Sequence, residues 1–202
     1  MREILESVIQ EAGYKLSDHQ LDKFYLYLQE IIKWNKVHNI TGLRDPELIV
    51  KRHFIDSLGV CKCFKKAGLD WKGKSFADVG SGAVFPGVPL KIYLEDIDMN
   101  LVESVAKKCS FLEYLKVKLG EDYKVFCCRA EELRTTFDVV IARALGRFED
   151  VIGLLEDLAR EYVFVMVGRN FREELISAYD LRVCEGYAPG MKTHILWKKL
   201  RV

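Results

Sequence analysis

Apolar and polar positions divide the chain into two grammars. Over the first third, apolar residues recur three and four apart, the period of a helix face. Residues 3–11 place Leu5, Val8 and Ile9 on one side. Ser17-Asp18-His19-Gln20 is a capping-box pattern, with Ser at the N-cap and Gln three residues on. The helix it opens carries Leu21, Phe24, Tyr25, Leu28, Ile31 and Ile32 at helical spacing and runs out near 35–41. Asp45-Pro46 then supplies an N-cap with proline in the first turn. This predicts a helix over about 46–60, with Leu48, Ile55 and Leu58 toward a core. His53, Asp56 and Ser57, three or four apart, share another face.

Beyond 68–73 short strands begin to alternate with helices. Strands are predicted at 75–79, 99–104, 124–128, 137–142 and 162–167, with helices near 86–94, 107–119 and 151–159 between them. A short helix at 173–179 precedes two last strands near 182–187 and 193–199. Such alternation means an α/β fold with a mostly parallel sheet and helices on both faces. The closing pair has no helix between its strands and reads as an antiparallel hairpin at the sheet edge. Residues 1–66 are expected to form a helical N-terminal extension packed on a Rossmann-like domain of 67–202.

Composition places this pattern in a folded protein. Of 202 residues, 50% are hydrophobic and 30% charged, enough to bury a core without disulfides or metal. Lys+Arg 31 against Asp+Glu 30 leave a net charge of +1. A general nucleic-acid binder carries a basic excess, so any RNA must be met by local clusters. Residues 186–202 contain no acid and hold Lys192, Lys198, Lys199 and Arg201; they read equally as a solvated terminal strand. The six cysteines include no C-x-x-C and the four histidines are scattered, so no metal site is expected. Charges interrupt the apolar pattern of the N-terminus, unlike a signal peptide. No apolar run approaches the roughly 20 residues of a membrane span. The expected compartment is the cytoplasm, with the cysteines reduced.

Chemistry concentrates in Asp78-Val79-Gly80-Ser81-Gly82-Ala83-Val84-Phe85-Pro86-Gly87, which ends the first strand and opens a helix. Ligands of open α/β sheets sit at the carboxyl ends of strands, where strand order switches. A dinucleotide site wants G-x-G-x-x-G, but here position 85 is Phe and the next Gly is 87. The spacing suits a ligand without a pyrophosphate, such as S-adenosylmethionine. Glu103 ends the second strand, where a carboxylate accepts hydrogen bonds from ribose hydroxyls; it also reads as a helix-capping acid. Ala130-Glu131 follows the third strand, where backbone amides could meet an adenine edge. The ordered set points to a class I S-adenosylmethionine-dependent methyltransferase.

Further segments extend the match. Asn35-Lys-Val-His-Asn39-Ile-Thr41, Arg52-His53-Phe54-Ile55-Asp56-Ser57-Leu58, the glycine loop, Leu101-Val-Glu103-Ser, Arg129-Ala-Glu131 and Ala142-Arg143-Ala144 occur in that order. In these the sequence resembles the bacterial small-subunit ribosomal RNA guanine-N7 methyltransferases, the RsmG or GidB family. The resemblance implies S-adenosylmethionine as methyl donor and a guanine in the decoding-region loop of 16S rRNA as acceptor. The partner expected from it is 16S rRNA within the 30S subunit or a precursor, met by a monomer without DNA or membrane.

The resemblance also implies that Gly80, Ser81, Gly82, Phe85, Glu103, Ala130 and Glu131 line the cofactor pocket. Arg143 is implied at the acceptor side and is the candidate catalytic residue. Asn39, Thr41, His53, Asp56 and Ser57 become a polar wall over the cofactor or target base. By their spacing alone they read instead as a helix cap and a local hydrogen-bonded pair. Three positions depart from the family's habit. Val84 stands where Gly is common, Ile141 where a small hydroxyl residue is frequent, and Gly168-Arg169-Asn170 where Lys-Gly is frequent. Guanine N7 carries a lone pair and no proton, so no general base is required. Two other readings stay open: the same cofactor with a small-molecule or protein acceptor, and a non-catalytic ribosome-binding domain.

Overall fold

A computed structural model describes residues 1–80, 85–143, 146–168, 171–188 and 191–200, with 187, 188, 191 and 192 by backbone only. Ser81, Gly82, Val84, Ala144, Arg169, Asn170 and Arg201, singled out from the sequence, lie outside the described residues.

Helix α1 is Arg2–Glu11 and buries Leu5, Val8 and Ile9. Helix α2, Asp18–His38, starts at the capping box: Ser17 Oγ accepts from the Gln20 amide and the Gln20 side chain from the Ser17 amide. The same Gln20 side chain donates to the Ile92 and Tyr93 carbonyls. It thus ties α2 to the end of a later helix. Asn39 closes α2 in the left-handed region, φ 48°.

Asp45 caps α3, Pro46–Ile49, by accepting from the Leu48 amide. The uniform helix expected over 46–60 does not form. After α3 the backbone runs as a π-helix over Val50–Ile55, then as α4, Asp56–Ala67, ended by Gly68 at φ 69°. Wider winding rotates the inward stripe, so Ile49, Val50, Phe54, Ile55 and Leu58 are buried. Leu48, expected in the core, is 40% exposed.

The sheet comprises β1 Ser75–Val79, β2 Asp98–Glu103, β3 Lys124–Cys127, β4 Phe137–Arg143, β5 Ala159–Val167, β6 Arg182–Ala188 and β7 Met191–Lys199. Between the strands lie α5 Gly87–Leu94, α6 Ala106–Leu119, a 3-10 turn Ala130–Glu132, α7 Phe148–Leu158 and α8 Glu174–Ala178. Strand order is β3-β2-β1-β4-β5-β7-β6. The first five strands are parallel, while β7 runs antiparallel to both β5 and β6. Order switches between β1 and β4, which puts the glycine-rich loop at the ligand position of such sheets.

Side chains alternate across the sheet. Phe76, Met99, Leu101, Val139, Ile141, Phe164 and Trp197 face a cluster filled by α1 through α6. Ala77, Val79, Val102, Val140, Val163 and Val165 face α7 and α8. The first cluster runs without interruption from Leu5 to Trp197.

The expectation of reduced cysteines is overturned. Cys63 of α4 is disulfide-bonded to Cys184 of β6, and Cys109 of α6 to Cys127 of β3. Their Cα atoms stand 5.7 and 5.8 Å apart, within the span a disulfide needs. Sequence spacing carries no trace of a pair separated by 121 positions. Cys61 and Cys128 remain free.

Candidate active site

Three strand ends and one helix form a cleft of about 550 Å³. At the end of β1, Gly80 turns at φ 71° and its amide donates to Val102 O at 2.9 Å. That conformation strains any residue with a Cβ. Glu103, last in β2, is 5% exposed and accepts from the Val105 amide at 2.8 Å. Beyond β3 come Cys128, Arg129, Ala130 and Glu131, with Glu131 exposed. Val151 and Leu154 of α7 supply the apolar wall.

A buried polar group lies on the other side of the same strand ends. Asp78 of β1 is fully buried, and its Oδ2 accepts from the Gly87 amide at 2.8 Å. A Cβ on Gly87 would stand 2.3 Å from Leu101 Cδ2 and 2.8 Å from Asp78 Oδ2. Glycine at 87 is therefore a condition of the α5 start reaching this carboxylate. Burial pushes the Asp78 carboxyl up to about 7, against the Gly87 amide and the Arg143 charge, with Glu103 adding to the rise.

Arg143, last in β4, turns toward the N-terminal helices. Its Nη2 lies 3.3 Å from Asp56 Oδ2 and donates to Arg52 O at 3.0 Å. Burial raises the Asp56 carboxyl, and Arg143 opposes that rise. The acceptor carbonyl belongs to the π-helical segment, a distortion common at functional sites. His53 of that segment stacks on Phe85, ring centroids 4.2 Å apart and planes 15° apart. Its Nε2 is 2.7 Å from Thr41 Oγ1. Burial, helped by Arg143, lowers the imidazole to about 3, so the ring is neutral at pH 7. Thr41 is held by Asn35, whose Oδ1 accepts from the Thr41 amide at 2.8 Å.

Gly80, Glu103, Ala130 and Glu131 thus meet in one cleft. Phe85 does not line it; it is buried among Tyr27, His53 and Phe54. Thr41, His53, Asp56 and Arg143 form the second group. His53 and Asp56 share a helical stretch but turn to different partners, Thr41 and Arg143. Ser57 spends its hydroxyl on the His53 carbonyl. Asn39 is exposed at the end of α2, where its side chain accepts from Arg44. Among the described residues no cluster of His, Cys, Asp and Glu could hold a metal ion. No described helix is long and apolar enough to cross a membrane.

A model of the family "rRNA small subunit methyltransferase G" matches residues 20–193. The chain belongs to this family. The ribosomal RNA small subunit methyltransferase G of Aquifex aeolicus (strain VF5) is 56% identical over 198 residues, covering 98% of this chain and 100% of its own. That of Desulfitobacterium hafniense (strain Y51) is 34% identical over 179 residues, 84% of this chain and 72% of its own. Magnesium protoporphyrin IX methyltransferase from Synechocystis PCC 6803, solved with bound SAM, superposes with a TM-score of 0.62 at 12% identity. That match covers 93% of this chain and 99% of the other. The sheet is that of a class I S-adenosylmethionine-dependent methyltransferase, as its sequence pattern predicts.

Asp78 stood in the glycine-rich segment without a role, because its burial depends on Gly87 and Leu101 closing over it. Val151 and Leu154 gave no local signal; only the packing of α7 on β4 and β5 turns them toward the cleft that β1 and β2 end in.

Proposed function

We propose that this chain transfers the methyl group of S-adenosylmethionine to N7 of a guanine in the decoding-region loop of 16S rRNA. The observation that carries the reading is one cleft uniting Gly80 at the end of β1, Glu103 at the end of β2 and Ala130-Glu131 after β3. The donor set fits the cofactor. Glu103, at the end of β2 and holding the Val105 amide, is the carboxylate placed to accept from ribose hydroxyls. Gly80 lets the backbone approach the ligand without Cβ hindrance. Val151 and Leu154 offer apolar cover to an adenine ring, with Ala130 and Glu131 at its edge. Ser81 and Gly82 belong to the cofactor loop in this reading, and Phe85 packs with Tyr27, His53 and Phe54.

S-adenosylmethionine, when bound, supplies an electrophilic methyl carbon on a sulfonium. The acceptor nitrogen carries a lone pair and no proton, so the chain has no proton to remove there. Its work is to align acceptor and donor, and such alignment lowers a barrier by roughly 7–11 kcal/mol. Arg143 holds the acceptor. Its guanidinium is three-quarters buried and fixed by Asp56 and Arg52 O, which suits a base edge better than a solvated phosphate. Through Nη1 it donates to the guanine oxygen, off the ring face, where a fixed cation would oppose the positive charge of the methylated product. Asp56 sets the guanidinium plane; His53 and Thr41 brace the helix that carries it.

Residues 1–66 act in this reading as an extension closing the acceptor side of a domain made by 67–202. The setting proposed is cytoplasmic, on the 30S subunit or a precursor, by a monomer. A net charge of +1 gives weak attraction to naked RNA, which favours an assembled substrate.

The test is transfer of labelled methyl from S-adenosylmethionine to unmethylated 30S subunits, naked 16S rRNA, tRNA and protein in parallel. Label recovered as 7-methylguanosine in 16S rRNA is expected, with 30S the better substrate. Label only in tRNA or protein would sink the acceptor. Arg143→Ala is expected to lose about a hundredfold in transfer with cofactor affinity unchanged by calorimetry. Undiminished transfer would remove Arg143 from its role.

A further inference from the structure

A second cleft, of about 530 Å³, lies beside the first. It is bounded by the start of α7, the carboxyl end of β5, and the residues leading into α8. Val151 lines both clefts. Helix α7 is therefore the wall between them, and both open at the carboxyl edge of the sheet.

The second cleft has a distinct chemistry. Phe148, Val165 and Leu175 give it a buried apolar floor. Phe171 is half-buried in its lining, with its ring centroid 5.0 Å from that of His194. Arg147 and Arg172 are exposed at the same lining. Arg172 is paired with Glu149 of α7, whereas among the described residues no carboxylate pairs with Arg147. An aromatic face accepts any unstacked base, and a guanidinium is matched to phosphate. An apolar small molecule would leave the two guanidiniums without a role, and a free phosphate would leave the apolar floor unused. A nucleotide uses both.

We propose that the second cleft holds an unstacked nucleotide flanking the target guanine in the rRNA loop, its base against Phe171 and its phosphate on Arg147. This rests on the activity proposed above. Strand geometry favours a flanking nucleotide over the target itself. Arg143 turns to the face covered by the N-terminal helices, where it meets Asp56 and Arg52. Phe148 and Val165 belong to the opposite face. The target at Arg143 and the base at Phe171 thus lie on two sides of the β4–β5 edge, as two successive nucleotides of a splayed loop can.

The experiment compares wild type, Phe171→Ala, Phe171→Tyr and Arg147→Ala in methyl transfer to unmethylated 30S subunits, with cofactor affinity measured separately by calorimetry. Phe171→Ala is expected to raise KM for the subunit about tenfold, with kcat and cofactor affinity unchanged. Phe171→Tyr, which keeps the ring, restores KM. Arg147→Ala raises KM and reduces the slope of log affinity against log salt by about one. Arg147 is exposed, so this variant keeps the test decisive if Phe171→Ala does not fold. An unchanged KM in both alanine variants overturns the proposal. So does a loss confined to kcat or to cofactor affinity. Failure of the wild type to label 16S rRNA would instead sink the activity itself, before any variant is compared.

Discussion

Around the ends of β1 and β4, Asp78 Oδ1 and Arg143 Nη1 are buried without a hydrogen-bond partner among the described residues. Each such atom costs about 1–3 kcal/mol relative to a satisfied one, so the fold keeps these groups buried here at the expense of stability. Asp78 makes that cost depend on pH. Its folded value of about 7 lies above the ordinary aspartate value. Its contribution to stability is therefore present in full below about pH 4 and lost as pH rises through about 7. His53 acts in the opposite sense, its folded value of about 3 lying below the ordinary imidazole value. Its contribution is present above about pH 6.5 and lost as pH falls toward 3. Between pH 8 and 6.5 the folded Asp78 takes up its proton, while an aspartate of ordinary value stays charged. The thermal midpoint of wild type should therefore rise relative to that of Asp78→Asn as pH is lowered over that interval. Thermal melts of the two proteins in matched buffers measure this, and a constant offset would mean that Asp78 is not protonated by the fold.

At the scale of elements, the strands and helices of the sheet were legible because each is short, apolar and bounded by turn residues. Ser75–Val79 reads as a strand and is one; Ser17 and Gln20 read as a cap and bond as one. What escaped was winding. Nothing in Val50-Lys51-Arg52-His53-Phe54-Ile55 distinguishes a π-helix from an α-helix, since both keep an apolar stripe and differ by one residue in the span of the backbone hydrogen bond. The choice is made by tertiary contacts, including the Arg143 bond to Arg52 O. Candidate residues followed the same rule. Gly80 and Glu103 were legible from their places at strand ends, whereas Phe85 gave no sign that its ring packs away from the cleft, against His53. The start of α5 is the element most exposed to mutation. Gly87→Ala would drive a methyl into Leu101 and Asp78, and overpacking of this kind costs typically 1–3 kcal/mol. Denaturant melts should show that loss with an unchanged m-value; full stability would mean that α5 can shift without cost.

For the whole molecule, the two disulfides differ in what they join. Cys109–Cys127 closes 18 positions within one α/β unit, while Cys63–Cys184 closes 121 and fastens the N-terminal helices to the far hairpin. Loop-closure entropy gives the longer bridge about 5 kcal/mol and the shorter about 3. Cys184→Ser should lower the thermal midpoint by on the order of 10 °C, and reductant should bring wild type down at least as far. A midpoint insensitive to both would show that packing alone holds the hairpin. No sequence pattern announces that bridge, because the two thiols meet only after the sheet has brought β6 over α4.

Strand β7 occupies the place between β5 and β6, out of chain order. Among the described strands β6 has no sheet neighbour other than β7, and β5 has only β7 on that side. Residues 191–199 therefore act as a keystone. Were they withdrawn, β6 would lose its only sheet partner among the described strands and stay tied to α4 through Cys63–Cys184 alone, and the edge of β5 would lie open to pairing with another chain.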